Sequence, residues 1–256
     1  MISGVLAGFR LQLWIFRRSL GDLSILIAVP FYLAIFLSIT QSADRPDLHA
    51  TAVLAPALAG MWTLALNQAG GITDGDRWQG TLEPLLATPA SFAANVLGRT
   101  VAIGALGVVC FAESWVAAAL LFGVQISIPH PVYFISCLVA TCFAMFGTAA
   151  LMTTLFTLAR SSMIFQNSLS YPFYVLGGIL VPVTFLPHWL YPVTRVFFLS
   201  WSADLFRATL ATGAVSEPAE QLIVIVGLGA ISLLLGFALS RRILRVIRAR
   251  GSVGLA

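Results

Sequence analysis

The side chains that could do chemistry in this chain are sparse, and their spacing argues against a reaction of its own. Its 10 acidic residues, 3 histidines and 3 cysteines never gather into a set that could hold a metal or share a proton, so catalytic and metal-ligating residues are both assigned as none. All 14 basic residues are arginine. Without lysine there is no Schiff-base nucleophile and no phosphate-binding lysine of a Walker A loop, which excludes a conventional P-loop ATPase. Cys110, Cys137 and Cys142 lie within apolar runs, where a thiol packs as a small hydrophobe. His49, His130 and His188 stand singly in separate connecting segments.

Glu113, flanked by Ala112 and Ser114, lies deep in an apolar run. An ion at mid-membrane costs about 3 kcal/mol on an insertion scale, so such a carboxyl faces protein, water or a partner, or is protonated. Two roles stay open for it: contacting or gating a substrate, cationic amphiphiles among them, or locking two helices through a hydrogen-bonded carboxyl. Asn67-Gln68 and Gln166-Asn167 fall at similar depth in two other runs. They are candidates to line an inward-facing entrance, although ordinary interhelical hydrogen bonds would also account for them.

The elements that position these residues follow from composition. With 59% apolar and 9% charged residues, against roughly 25% charged in a soluble domain, the chain is a polytopic membrane protein, all-α, forming one domain over residues 1–256. A crossing takes about 20 apolar residues. Six segments qualify, near 23–41, 50–72, 96–123, 131–158, 164–185 and 220–240. Pro30, Pro56 and Pro172 fall inside them, where neighbouring helices can satisfy the freed carbonyls.

Ahead of the first span, residues 1–20 place Ile2, Val5, Leu6, Phe9, Leu13, Phe16 and Leu20 at helical spacing, with Arg10, Gln12, Arg17 and Arg18 largely off that face. This predicts an amphipathic helix in the membrane plane, followed by a turn in which Asp22 caps the first span. Positive charge is retained on the cytoplasmic side. With the N-terminus inside, 11 arginines (10, 17, 18, 77, 99, 160, 241, 242, 245, 248 and 250) are cytoplasmic, and only Arg45, Arg195 and Arg207 face out. Both termini and the polar stretch 73–91 are then cytoplasmic, and the arginine-rich tail anchors the last helix beside anionic headgroups. The stretch from Pro182 to Gly213 carries Phe185, Trp189, Tyr191, Phe197, Phe198 and Trp201, and predicts short re-entrant helices at the outer interface, centred on 186–213. Arg195 and Arg207 would stay at the outer surface, with Asp204 and Arg207 placed to pair at i, i+3.

Residues 73–91 form a polar island between the second and third spans. Within it Thr81 can cap a helix start, Glu83 suits the positive helix end, and Pro84 falls in the first turn. The resulting two-turn helix shows Leu82, Leu85 and Leu86 on one side and is too short to be stable alone. It needs a partner surface.

At these residues the chain resembles a known family. Asp76-Arg77, Gly80-Thr81-Leu82-Glu83, Leu85-Leu86 and Thr88-Pro89 look like the loop after the second span of ABC-2 type transporter permeases. Gly177-Gly178, Val181-Pro182, Leu186-Pro187, Trp189-Leu190, Asp204-Leu205 and Arg207 are similar to that family's outer signature. The likeness spans essentially the whole chain and is nearest to the daunorubicin-type drug exporters. Two departures stand out: Trp78-Gln79 where a further acidic residue is common, and Phe197-Phe198 where an Asn-Pro pair is common.

The resemblance implies a non-enzymatic permease subunit in the bacterial cytoplasmic membrane, a setting that the replacement of lysine by arginine throughout also suggests. It implies pairing with a second permease chain, as homo- or heterodimer, and seating on a separate ABC ATP-binding subunit. ATP and Mg belong to that partner, with no cofactor on this chain; membrane lipids are the other partner and nucleic acid is not one. It also implies that 73–91 carries a coupling helix, with Asp76, Arg77, Gly80, Thr81, Leu82, Glu83, Leu85 and Leu86 meeting the ATPase, and that Trp189, Asp204 and Arg207 belong to an outer gate. The expected activity is export of hydrophobic drugs, antibiotics or lipid-like molecules, a direction that rests on the resemblance alone. Export of a lipid-linked glycan is the alternative, and a passive channel or scaffold a further one.

Overall fold

The structure, a computed structural model, describes residues 2–18, 24–78, 80, 92–158 and 162–250. The regular secondary structure among these residues is helical, with no strand among them. The helices are α1 (Ile2–Arg18), α2 (Ser24–Ser42), α3 (His49–Trp78), α4 (Phe92–Phe122), α5 (Pro131–Leu158), α6 (Ser162–Leu176), α7 (Tyr191–Thr194), α8 (Phe198–Leu210) and α9 (Pro218–Arg250). Among the described residues, five stretches are long and apolar enough to cross a membrane: Ser24–Ser42, Pro46–Gln68, Ala94–Phe122, Pro131–Phe156 and Pro218–Arg242. Pro30, Pro56 and Pro172 lie inside helices, as expected.

The segment expected to cross at 164–185 stops early. The 15 residues of α6 span about 22 Å, short of the roughly 30 Å hydrocarbon core. Ile179-Leu180-Val181 continue the apolar run, but Gly178 at φ +64 turns the chain aside. Its amide donates to the Val175 carbonyl at 3.1 Å and that of Ile179 to Tyr174 at 3.2 Å, the two bonds of a Schellman stop. An L side chain at position 178 would carry the left-handed strain and also press on Val183. The apolar pattern fixed the start of this helix and the glycine fixed its end.

α3 is the hub. It packs against α2, α4, α5, α6 and α8, and its residues 52–66 are almost all buried. Trp62 stacks on Phe173 of α6 with ring centroids 4.4 Å apart and meets Phe198 of α8. α8 is buried on nearly every side, held among α3, α5 and α9. A second aromatic group, Phe111, Trp115, Phe134 and Phe206, joins α4, α5 and α8.

Two seams bring backbones together, because water is absent and small residues let dispersion act at close range. Between α5 and α9, a methyl group added at Gly229 would sit 2.6 Å from the Ala144 Cα, and the Thr154 and Ser240 hydroxyls share a 2.7 Å hydrogen bond. Between α1 and α4, a Cβ at Gly98 would overlap the Val5 carbonyl, and one at Gly8 would overlap that of Asn95. α1 is therefore docked backbone to backbone on the start of α4.

This docking defines a packed side of α1 that differs from its apolar side. Its packed side holds Gly8, Gln12 and Phe16, while Leu6, Leu11, Leu13 and Trp14 are exposed. Gln12, placed off the apolar face by hydropathy, is one of the most buried residues of the helix. Hydropathy ranked the side chains, but close approach at Gly8 and Gly98 chose the face.

Candidate functional site

The polar island begins as a continuation of the hub. α3 runs unbroken from its buried middle through Asp76 and Arg77 to Trp78, so the first third of the expected 73–91 loop is helix. Gly80 follows as an exposed turn residue at φ +64, with none of the described residues within 4 Å of an added Cβ. The side chains of Asp76 and Arg77, and the whole of Thr81, Leu82, Glu83, Leu85 and Leu86, lie outside the described residues.

Beneath the island, three buried polar side chains meet. Arg99 Nε of α4 donates to Gln12 Oε1 of α1 at 2.9 Å, and Gln12 Nε2 donates to Gln68 Oε1 of α3 at 3.0 Å. A guanidinium can only donate, so Gln12 must turn its carbonyl to Arg99 and its amide nitrogen to Gln68. Exposures of 1%, 7% and 4% for Gln12, Gln68 and Arg99 make these bonds count, since unsatisfied groups there would be costly. Arg99, expected as a surface topology charge, is thus an internal ligand; the glycine before it brings the α1 backbone over it.

The expected entrance amides separate. Gln68 is committed to Gln12, whereas the adjacent Asn67 is exposed. Gln166 is buried on α6, and the side chain of Asn167 lies outside the described residues. Glu113 is half-buried on α4, and its Oε2 is buried without a hydrogen-bond partner among the described residues. The adjacent Ser114 instead bonds across to the Val53 carbonyl of α3 at 2.7 Å. Cys110, one turn away, is fully buried.

At the far end of the bundle the expected i, i+3 pair is present and larger than expected. Asp204 takes Arg195 at 2.9 Å on one oxygen and lies 3.6 Å from Arg207 on the other, the second at ion-pair and not hydrogen-bond distance. Arg207 also donates to the Gly178 carbonyl and, at 3.1 Å, to that of Ile179. It was expected at the outer surface but is folded under the turn that follows α6, where the Gly178 and Ile179 carbonyls stand outside the helix and accept from the guanidinium. Arg195 lies over the rings of Tyr191 and Trp201, at 4.8 and 4.6 Å. Trp189 is 74% exposed and outside this cluster.

A family model described as ABC-2 type transporter matches residues 5–211, from the docked face of α1 to the end of α8. The chain belongs to the ABC-2 type transporter family. None of the curated proteins compared with it matches. As an ABC-2 membrane domain it is the permease of an ABC transporter, a multi-pass transport subunit whose family works with an ATP-binding subunit. The matched span takes in both the island and the Gly178–Arg207 latch. Gln12 and Arg99 lie within it too; a signal for them was present in Gly4, Gly8 and Gly98, small residues at helix-packing spacing next to each polar side chain.

Proposed function

We propose that this chain is the permease of an exporter for hydrophobic drugs, antibiotics or lipid-like molecules, working as a dimer on a separate pair of ATPase subunits in a bacterial cytoplasmic membrane. The observation that carries the coupling role is the continuity of α3: one helix joins the most buried part of the bundle to the Asp76-Arg77 end of the island. A push at Trp78 acts on one continuous helix that touches α2, α4, α5, α6 and α8. Residues Gly80, Thr81, Leu82, Glu83, Leu85 and Leu86 then form the surface that the ATPase grips, so that its closure on ATP becomes movement of the spans. Both termini are assigned to the cytoplasm, with the island.

α6 together with the turn at Gly178 and the buried α8 makes the sixth crossing and its outer re-entrant hairpin. Asp204 and Arg207 hold that hairpin shut, with Trp189 at its rim. Glu113 is the candidate for cargo contact, and Gln68 and Gln166 have structural roles first. An apolar cargo is favoured over a glycan because the large rings inside the bundle, Trp62, Phe173 and Phe198 among them, pack on one another instead of standing free to stack on sugars. The test is reconstitution with the copurifying ATPase in vesicles, followed by ATP-dependent movement of a fluorescent lipophilic cation and of a lipid-linked glycan. Movement of the glycan alone would reverse the assignment.

A further inference from the structure

We infer that Gln12 is a positioning residue that ties α1 to the two helices flanking the island, so that α1 moves with them during the ATP cycle. The inference rests on the proposed role of the island as the place where an ATPase acts.

Gln68 lies ten residues before the end of α3 and Arg99 seven residues after the start of α4, about 15 Å and 10 Å along their helices from the island. Both helices are therefore held, a short way below the point of the push, by one side chain of a third. α1 itself is fixed to α4 through the Gly8 and Gly98 contacts, which leave no room for sliding. Its link to α3 is of a different kind: among the described residues it is the amide-to-amide hydrogen bond between Gln12 and Gln68.

Chemistry separates this joint from ordinary packing. The chain has only 14 arginines and spends one of them, 4% exposed, inside a helix joint where leucine would fill space without any desolvation cost. Buried hydrogen bonds fix register in a way that apolar contact does not, and a register-fixing joint carries displacement from one helix to the next. Gln12 can serve both neighbours only in one orientation, carbonyl to Arg99 and amide nitrogen to Gln68. The acceptor at position 68 is thus the element that transmits, and the donor at position 99 is the element that anchors.

The experiment places spin labels at Leu11 on α1 and Leu234 on α9, both exposed, in a background lacking the three native cysteines. The labelled chain is purified with its ATPase subunit, and the distance is read without nucleotide and after trapping with ATP and vanadate. The unmodified joint should show a shift of about 2 Å or more, the scale of helix translations in such switches. Gln68→Glu keeps the acceptor and should keep the shift; Gln68→Leu and Gln12→Leu should shrink it measurably, because α1 then follows α4 alone and no longer α3, while the ATPase still copurifies. Purely structural packing would lose stability in both Gln68 variants alike or in neither. Should Gln68→Leu fail to accumulate, Gln12→Leu decides, since it leaves α3 unaltered. An intact shift in the leucine variants, or no shift in the parent, overturns the inference. Failure of the permease reading looks different: the ATPase would not copurify with the parent chain at all.

Discussion

Replacing Gly98 by valine should detach α1 from the bundle. The added Cβ would overlap the Val5 carbonyl and lie 2.7 Å from the Phe9 backbone nitrogen, and both neighbours are helix backbone that cannot swing aside. Restoring a contact of about 3.5 Å to the Phe9 nitrogen requires the helices to part by ~0.8 Å, and the tighter Val5 carbonyl requires more, so that at least about a quarter to a half of each pair attraction along the seam is forfeited. Overpacking of this kind costs about 1–3 kcal/mol, equivalent to a five- to 150-fold fall in the docked-to-undocked ratio. Gly227→Val is the matched control, because a Cβ there meets nothing within 4 Å. Amide exchange in lipid nanodiscs, read over residues 4–18, should accelerate by that factor in Gly98→Val and stay unchanged in Gly227→Val. Equal protection in the two variants would show that the backbone seam does not hold α1 and would remove the physical basis for its place in the bundle.

Other substitutions probe separate joints. Arg207→Met removes charge-assisted bonds to the Gly178 and Ile179 carbonyls, worth about 1.5–3 kcal/mol, while Asp204 keeps Arg195; the detergent-solubilised protein should melt earlier and be cleaved faster between 179 and 190. An unaltered melting curve would mean the latch contributes nothing. Thr154→Val should change stability by only about 0.6 kcal/mol, the usual worth of an interhelical hydroxyl bond, whereas Gly147→Leu, whose side chain would strike the Gly229 carbonyl, should lower it by about 1–3 kcal/mol or more. The reverse order in a thermal-shift series would contradict the small-residue account of the α5–α9 seam. Glu113→Gln should leave folding intact and lower export of a lipophilic cation about tenfold relative to a neutral analogue, a difference of 1.4 kcal/mol. Equal transport of the two would take Glu113 out of recognition.

Much of this architecture was legible in the residues because the signals involved are local. Apolar length predicts six crossings, five of which are helices long and apolar enough among the described residues, the island stands out by polarity, and the Asp204–Arg207 spacing announces its pair. The misplacements share one cause. Gln12, Arg99 and Arg207 were sorted by hydropathy and charge, as if polar side chains must face water or headgroups. In a bundle that excludes water, their positions are decided by which buried acceptors lie near: the Gln12 carbonyl for Arg99, the Gly178 and Ile179 carbonyls for Arg207. Those acceptors come from distant parts of the chain and leave no local pattern. The end of α6 failed for a related reason, since a hydropathy window averages across Gly177-Gly178 and cannot register that one left-handed residue redirects the helix.

The central claim is that an external ATPase drives this bundle through residues 76–83. The most direct measurement compares ATP hydrolysis by the complex, isolated through a tag on this chain, with that of the complex bearing alanines from Asp76 to Glu83. The account predicts that an ATP-hydrolysing subunit copurifies with the unmodified chain, and that cargo stimulates its activity several-fold. In the alanine variant that stimulation should be lost although the bundle remains folded. Undiminished stimulation with the alanines in place would contradict it.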